Sequence, residues 1–109
     1  DEPGDSYRPS AGLTRLIKTR DQTCRFPGCR RSAVSKGMDL DHTIPWPDGP
    51  TAAWNLAVLC RSHHVLKTHS DWKVQQLAGG VLEWTTPSGR VFTTKPADYR
   101  SGAPPGNTA

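Results

Sequence analysis

Two groups of side chains in the middle of the chain have the types and spacings that metal chemistry needs. The first group supplies thiols and imidazoles: Cys24, Cys29, Cys60, His63 and His64. The second supplies a carboxylate, two imidazoles and an amide: Asp41, His42, Asn55 and His64. Four thiolate or imidazole donors suit a closed zinc site, whereas a carboxylate and an imidazole with open positions suit a cation that acts on a substrate. Together they predict a metal-dependent hydrolase that a zinc ion stabilises.

The cysteines are spaced as zinc ligands rather than as disulfide partners. Cys24 and Cys29 enclose a Pro-Gly pair, which forces a tight turn and lets both sulfurs face one ion. Cys60 precedes His63 by three residues and His64 by four, and both spacings place the ligands on one helix face. Spacing alone therefore leaves either histidine as the fourth ligand. Buried free thiols are the alternative, which the neighbouring histidines disfavour.

The length of the chain limits it to one small domain. The 109 residues are only 34% hydrophobic, and both ends are rich in Pro, Gly, Ser and Asp. We predict a disordered flank over 1–10, a folded domain over 11–95 and a disordered tail over 96–109. So small a domain commonly needs a metal or a disulfide, and a structural zinc contributes on the order of 10 kcal/mol to folding. The chain does not begin with Met, so we expect it to be part of a longer protein.

The charge of the chain suits a polyanionic partner. Lysine and arginine outnumber the acidic residues by 14 to 10, and segment 15–31 carries many bases against the single acid Asp21. Phosphate groups are a natural partner for such a segment, although an ordinary solvated surface explains the charge equally well. The predicted nucleic-acid contacts are Arg25, Arg30, Arg31, Arg61 and Lys67. The sequence has no signal peptide and no apolar run of membrane-spanning length, so we expect a cytoplasmic, nucleoid-associated protein without a membrane partner.

The pattern of apolar residues and turn residues predicts where the elements lie. Ser10 caps a helix that runs to about Arg20, and a second helix covers about 60–69. Alternation predicts a strand over 38–44, and three more strands over 72–77, 81–85 and 90–94 form an antiparallel meander. The predicted core of the meander is Trp72, Val74, Leu82, Trp84, Val91 and Phe92. Asp39 and His69 are predicted to be surface residues.

The metal-binding motifs resemble a known family. Asp41-His42, Asn55 and His64 are similar to the signature of HNH endonucleases, which have the ββα-metal fold. The neighbouring segments resemble the zinc-stabilised branch of that family: Cys24-x4-Cys29, Asp39-Leu40-Asp41-His42-Thr43-Ile44-Pro45, Asp48-Gly49-Pro50-Thr51, Asn55-Leu56 and Leu59-Cys60-Arg61-Ser62-His63-His64-x-x-Lys67. In particular, the chain resembles the C-terminal HNH module of a large family in high-GC bacteria, where a domain of unknown function precedes it. The similarity runs from about Tyr7 to the hairpin at 84–90.

The resemblance implies a role for each residue. That branch carries Cys-x-x-Cys before its last histidine, so His63 replaces a cysteine. The implied structural zinc ligands are Cys24, Cys29, Cys60 and His63. Asp41 and His64 would then hold a catalytic divalent cation, Mg²⁺ or Mn²⁺. His42 would activate the attacking water, and Asn55 would orient the loop that holds His42.

The resemblance also implies a fold and a function. We expect an α+β domain with a ββα-metal core and a zinc knuckle, flanked by an N-terminal helix and a C-terminal antiparallel β-meander. The expected activity is hydrolysis of DNA phosphodiester bonds by a single-metal mechanism. One alternative is a catalytically silent zinc module that binds nucleic acid, and another is a structural or protein-interaction domain. The set Asp41, His42, Asn55 and His64 favours the enzyme, because a binding module does not need it.

Overall fold

A computed structural model describes residues 6–97 of the protein. In chain order its elements are α1 (Ala11–Asp21), β1 (Met38–His42), β2 (Leu56–Cys60), α2 (Arg61–His69), β3 (Lys73–Gln76), β4 (Leu82–Thr85) and β5 (Val91–Thr94), with 3₁₀ turns at Ala53–Asn55 and Ala78–Gly80. The strands form two antiparallel sheets, β1-β2 and β3-β4-β5. The predicted α+β class is confirmed. Residues 1–5 and 98–109, which make up much of the predicted flank and tail, lie outside the described residues.

The first helix begins where its capping residue predicts. The Ser10 hydroxyl accepts a hydrogen bond from the backbone N–H of Leu13 at 3.0 Å, and this satisfies one of the free donors of the first turn. Leu13 and Ile17 are buried, four residues apart on the face that packs on β2. Leu16 is 52% exposed, because the helix buries only one narrow stripe. Gln22 ends the helix in the left-handed region, with φ of 62°.

A two-stranded sheet leads directly into the second helix. In its register Asp41 lies opposite Ala57, and His42 lies opposite Leu56. Every residue of β2 is buried, which fits its continuous apolar sequence: such a strand is covered on both faces. Cys60 ends β2 and is also the N-cap of α2, so no loop separates strand from helix. The helix therefore starts at a fixed position beside β1.

Polar side chains from α1 form hydrogen bonds with the edge of β2 that faces away from β1. Among the residues that the structure describes, no third strand lies beside this edge. Asp21 is 1% exposed, and its carboxylate accepts from the Val58 backbone N–H at 3.0 Å. The Arg20 guanidinium donates to the Leu56 carbonyl at 2.7 Å and to Asp21 at 2.7 Å. An unpaired strand edge in a protein interior would leave buried polar groups without partners. The carboxylate and the guanidinium thus replace a neighbouring strand.

The predicted nucleic-acid contact at Arg25 is wrong, because this side chain is part of the interior. Arg25 is 2% exposed and donates to Asp21 at 3.0 Å and to the Thr94 carbonyl at 2.7 Å. Its carbonyl accepts from the indole N–H of Trp84 at 3.1 Å. Burial lowers the pKa of Arg25, and the charge of Asp21 opposes this shift. The guanidinium therefore links α1 to the second sheet and is not available to a phosphate at the surface.

The C-terminal meander is present, but its last strand is more exposed than predicted. Leu82 and Trp84 in β4 are 1% and 0% exposed, and Trp72 and Val74 pack beside them. Val91 and Phe92 in β5 are 55% and 40% exposed, so their predicted place in the core is wrong. The physical reason is that β5 is an edge strand, and the main contacts of α1 and β2 are with elements other than β5. Within residues 6–97, no helix has the length and apolar character needed to cross a membrane.

Candidate functional site

Four side chains of types that can bind a metal meet between the first sheet and the turn at 24–29. The ligand atoms of Cys24, Cys29, Cys60 and His63 all lie within 4.8 Å of one another. The His63 Nδ1 atom is 3.5 Å from Cys24 Sγ and 3.4 Å from Cys60 Sγ. A tetrahedral zinc with bonds of roughly 2.3 Å to sulfur and 2.0 Å to nitrogen separates such atoms by about 3.5 Å. The donor set and its spacing therefore fit a zinc ion.

Local structure sets the positions of the paired cysteines and of the His63 ring. Cys29 N–H donates to the Phe26 carbonyl at 3.0 Å, and Gly28 takes φ of 82°, so the chain turns back between the two cysteines. The Phe26 ring stacks on the His63 imidazole with centroids 4.0 Å apart and fixes the plane of that ring. Spacing alone left either histidine as the fourth member of the cluster. In the structure His63 lies in the cluster, whereas His64 faces β1.

The thiols of the cluster differ in their ease of ionisation. Burial raises the pKa of Cys24 to about 12, and the neighbouring Cys29 contributes to the rise. Burial also acts to raise the pKa of Cys60, but hydrogen bonds from the His63 backbone and from the other two thiols outweigh it, so the net shift is downward. Thiolates are the form that binds zinc, and a dication supplies the positive charge that a buried thiolate lacks. Binding of a metal by these thiols would thus be coupled to their ionisation.

A second group of polar side chains lies where α2 faces β1. The His64 Nδ1 atom is 2.8 Å from Asp39 Oδ2, and its Nε2 atom is 3.3 Å from Asp41 Oδ1. Arg61 holds Asp39 from the other side, with two hydrogen bonds of 2.8 and 2.9 Å. These bonds to Arg61, and then the one to His64, lower the pKa of Asp39 against the effect of its partial burial. Asp39 is therefore an ionised acceptor that orients the His64 ring.

Asp39 is a site residue that the sequence analysis missed. It was predicted to be a surface residue, yet its side chain is only 19% exposed and bonds to the histidine of the motif. The signal was present in the strand alternation, since residues two apart on a strand share a face. Asp39 and Asp41 both project from the face of β1 toward His64. His69, also predicted to be a surface residue, is exposed at the end of α2.

Lys67 lies inside this site rather than on the outer face of α2. Its Nζ atom is 3.0 Å from Asp41 Oδ2 and 3.1 Å from the His42 carbonyl, and the side chain is 12% exposed. Burial raises the pKa of Asp41, and the ammonium of Lys67 opposes that rise most strongly. The carboxylate of Asp41 is therefore shared between a lysine and a histidine. A phosphate would therefore have to enter the site to contact Lys67.

Hydrogen bonds define which nitrogen of His42 carries a proton. The Thr51 hydroxyl donates to the Tyr7 carbonyl at 3.0 Å and lies 2.8 Å from His42 Nε2. A hydroxyl has one hydrogen, so Thr51 accepts from His42, and Nε2 carries the proton. Burial lowers the pKa of His42, which favours the neutral ring near pH 7. The Nδ1 atom of the neutral ring is then a free base.

Asn55 organises the loop that follows β1. Its amide accepts from the Ile44 N–H at 2.8 Å and donates to the carbonyls of Ile44 and Pro50 at 2.9 and 3.0 Å. Gly49 lies so close that a Cβ atom there would collide with the Ile44 carbonyl and the Asn55 amide. The buried amide therefore closes the loop and needs glycine beside it. This loop begins directly after His42 and leads to Thr51, its hydrogen-bond partner.

The described residues of the site enclose a cleft of ≈350 Å³ between β1, α2 and the loop after β1. Its lining includes the polar side chains of Asp41, His64 and Lys67 and the aromatic side chains of Tyr7 and Trp46. Tyr7 belongs to the predicted flank, yet its ring stacks on His42 with centroids 5.1 Å apart. The domain boundary at residue 11 thus leaves out a residue that contacts the site.

The remaining predicted nucleic-acid contacts lie at the surface. Arg30, Arg31 and Arg61 are all exposed. Arg31 donates to the Lys36 carbonyl at 3.2 Å, and Arg61 is paired with Asp39. Their contact with nucleic acid stays a prediction.

Comparison with known proteins finds relatives whose roles are not described. The chain is 48% identical over 100 residues to the uncharacterized protein Rv3776 of Mycobacterium tuberculosis, an alignment that covers 86% of this chain and 19% of the relative. It is 47% identical over 100 residues to the uncharacterized protein Rv2100 of the same organism, covering 18% of that relative. The chain thus spans about a fifth of the length of these relatives. No family model and no solved structure matches it.

Proposed function

We propose that this domain is a metal-dependent endonuclease of the HNH class that hydrolyses phosphodiester bonds in DNA. The observation that carries the proposal is the contact chain Asp39–His64–Asp41. Asp39 accepts a hydrogen bond from His64 Nδ1, so the Nε2 atom faces an oxygen of Asp41 at 3.3 Å. Two electron-pair donors that face each other at this distance are stabilised by a proton or a metal cation between them. A carboxylate–histidine pair that presents its other nitrogen to an ion is a common arrangement in metal enzymes.

The donor atoms suit a small divalent cation. Two ligands of an octahedral Mg²⁺ at roughly 2.1 Å lie about 3.0 Å apart when they are adjacent. The separation of 3.3 Å between His64 Nε2 and Asp41 Oδ1 is close to that value. Asp41 and His64 would hold the cation, which would stabilise negative charge on the phosphate and on the leaving oxygen. Asp41 lies on β1 and His64 on α2, and the elements β1, β2 and α2 follow one another in the order of a ββα core.

The chain's own residues supply the remaining steps of hydrolysis. His42 Nδ1 takes a proton from the attacking water, and the hydrogen bond from Nε2 to Thr51 holds the ring in place. The bonds of Asn55 fix the loop that carries His42 and Thr51. Lys67, 3.0 Å from Asp41, adds positive charge where a phosphate would lie. Each role uses a side chain that lines or supports the cleft.

The proposed zinc site gives α2 a fixed position relative to β1. His63 belongs to the cysteine cluster and His64 to the cleft, and the two are adjacent on the helix. Neighbouring helix residues point about 100° apart, so one turn of α2 serves both sites. Binding of zinc by His63 would therefore set the direction in which His64 approaches Asp41. The zinc would have a structural role and the second cation a catalytic one.

A nicking assay on supercoiled plasmid tests the proposal. Zinc-loaded protein should nick or linearise the plasmid when Mg²⁺ or Mn²⁺ is added, EDTA should stop the reaction, and His42→Ala should slow it by roughly 10²–10⁴-fold. Binding of the plasmid without cleavage under every cation would contradict the enzyme. That result would support the silent zinc module that binds nucleic acid.

A further inference from the structure

Two aromatic side chains, Tyr7 and Trp46, line the cleft together with its charged residues. The Tyr7 ring stacks on the His42 imidazole, with centroids 5.1 Å apart and planes inclined by 19°. Trp46 meets Tyr7 nearly edge-on, with centroids 6.2 Å apart and an angle of 76°. The ring centroids of Trp46 and His42 are 6.0 Å apart. Tyr7 and Trp46 therefore form a corner, called here the aromatic corner, beside the proposed general base.

The aromatic corner is partly open to solvent although it is well anchored. Tyr7 is 60% exposed, so stacking on His42 covers one side of its ring and leaves much of the remainder accessible. Its backbone carbonyl accepts from Thr51, the hydroxyl that also bonds to His42. A large exposed aromatic side chain at a fixed position beside a polar cleft is a common feature of binding sites.

Aromatic rings and a lysine in one cleft match the two parts of a nucleotide, its base and its phosphate. A base presents a planar π-face that stacks on aromatic rings, and its phosphate is attracted to positive groups such as Lys67. In a duplex the faces of the bases are covered by their neighbours, so only an unpaired base can use such a platform. We propose that the aromatic corner binds an unpaired nucleobase, and that the substrate is DNA with a single-stranded nucleotide beside the scissile phosphate. This inference rests on the proposed nuclease function for the position of that phosphate.

The test compares binding of single-stranded and duplex DNA by the full 109-residue chain. Fluorescence anisotropy is measured with a labelled oligodeoxynucleotide and with its blunt duplex, in a zinc-loaded His64→Ala background that retains both aromatic rings. The background protein should bind the single strand more tightly. Tyr7→Leu and Trp46→Leu should each weaken single-strand binding by roughly 5- to 100-fold and leave duplex binding nearly unchanged. Tyr7→Phe should bind like the background.

Trp54→Leu is the matched control, because Trp54 is 56% exposed and does not line the cleft. It should bind both DNA forms like the background protein. The inference is overturned if the background prefers the duplex, or if Tyr7→Leu and Trp46→Leu fold and load zinc normally yet keep full single-strand binding. It is also overturned if Trp54→Leu loses as much binding as the variants of the corner. Failure of the nuclease function would appear separately, as absence of cleavage by the wild-type protein on both DNA forms.

Discussion

Asp39 Oδ2 lies 2.8 Å from Nδ1 of His64, and this contact joins the first strand of the small sheet to the helix that follows it. The carboxylate fixes both the tautomer and the orientation of the imidazole, because an ionised carboxylate can only accept a hydrogen bond. The other nitrogen of the ring is consequently presented to Asp41. The proposed catalytic cation site thus depends on a residue outside the motif that suggested it.

Replacing Asp39 should weaken the cation site without unfolding the domain. Asp39→Ala frees the His64 ring to rotate, and loss of such a supporting carboxylate typically costs 10- to 100-fold in metal affinity or activity. We expect the Mn²⁺ concentration for half-maximal cleavage to rise by about that factor. Asp71→Ala is the control, since it removes an exposed carboxylate that does not line the cleft. An equal effect of both substitutions, or none from Asp39→Ala, would contradict the orienting role.

The two adjacent histidines should differ in their effect on zinc. His63→Ala removes a donor that lies 3.4 Å from Cys60 Sγ, so the purified variant should carry less zinc and unfold at lower temperature. His64→Ala should keep a full equivalent of zinc. Elemental analysis and thermal unfolding measure both quantities. Zinc lost from His64→Ala and kept by His63→Ala would mean that the two ligands are exchanged.

The buried ion pair between Asp21 and Arg25 should contribute strongly to the stability of the domain. Asp21→Ala leaves the buried Arg25 guanidinium without its carboxylate and the Val58 N–H without its acceptor. Removing one partner of a buried pair typically costs about 3–5 kcal/mol. Urea unfolding of zinc-loaded protein should therefore show a drop of that size in the free energy of unfolding. Asp71→Ala, at an exposed acid, should change it by less than about 0.5 kcal/mol. Similar values for the two variants would contradict the structural role.

Binding to duplex DNA should fall as salt rises, through the surface arginines. Each phosphate contact contributes roughly 0.9 to the slope of log affinity against log salt concentration. Arg30→Ala, at an exposed position, should reduce that slope by about this amount if Arg30 contacts a phosphate. Arg31→Ala provides a second measurement at the neighbouring exposed position. A slope near zero for the wild-type protein would argue against a phosphate-based interface.

The sequence predicted elements better than it predicted which polar residues they bury. The Ser10 cap, the strand alternation before Thr43 and the meander all depend on local patterns, and the structure contains them. Arg25 was assigned to the surface because its sequence neighbours are basic, whereas its partners are distant in sequence: Thr94 lies 69 residues away. Such contacts depend on tertiary packing and leave no local signal.

The cluster of Cys24, Cys29, Cys60 and His63 was predictable because its members are rare residue types at restrictive spacings. For the opposite reason, Asp39 was predicted to be a surface residue, and the contact of Lys67 with Asp41 was not predicted. Acids and lysines are common at surfaces, and only the packing of α2 against β1 brings these two beside His64 and Asp41. Val91 and Phe92 were misplaced because alternation shows which residues share a face but not whether another layer covers that face.

The most direct test of the nuclease proposal is the cleavage rate of DNA as a function of Mn²⁺ concentration for wild-type protein, His42→Ala and His64→Ala. His42→Ala should reach half-maximal rate at the wild-type Mn²⁺ concentration, but its maximal rate should be roughly 10²–10⁴-fold lower, because it lacks the base. His64→Ala should need more Mn²⁺ and recover part of its rate in excess. If both variants cleave at the wild-type rate across the titration, the proposed mechanism is wrong.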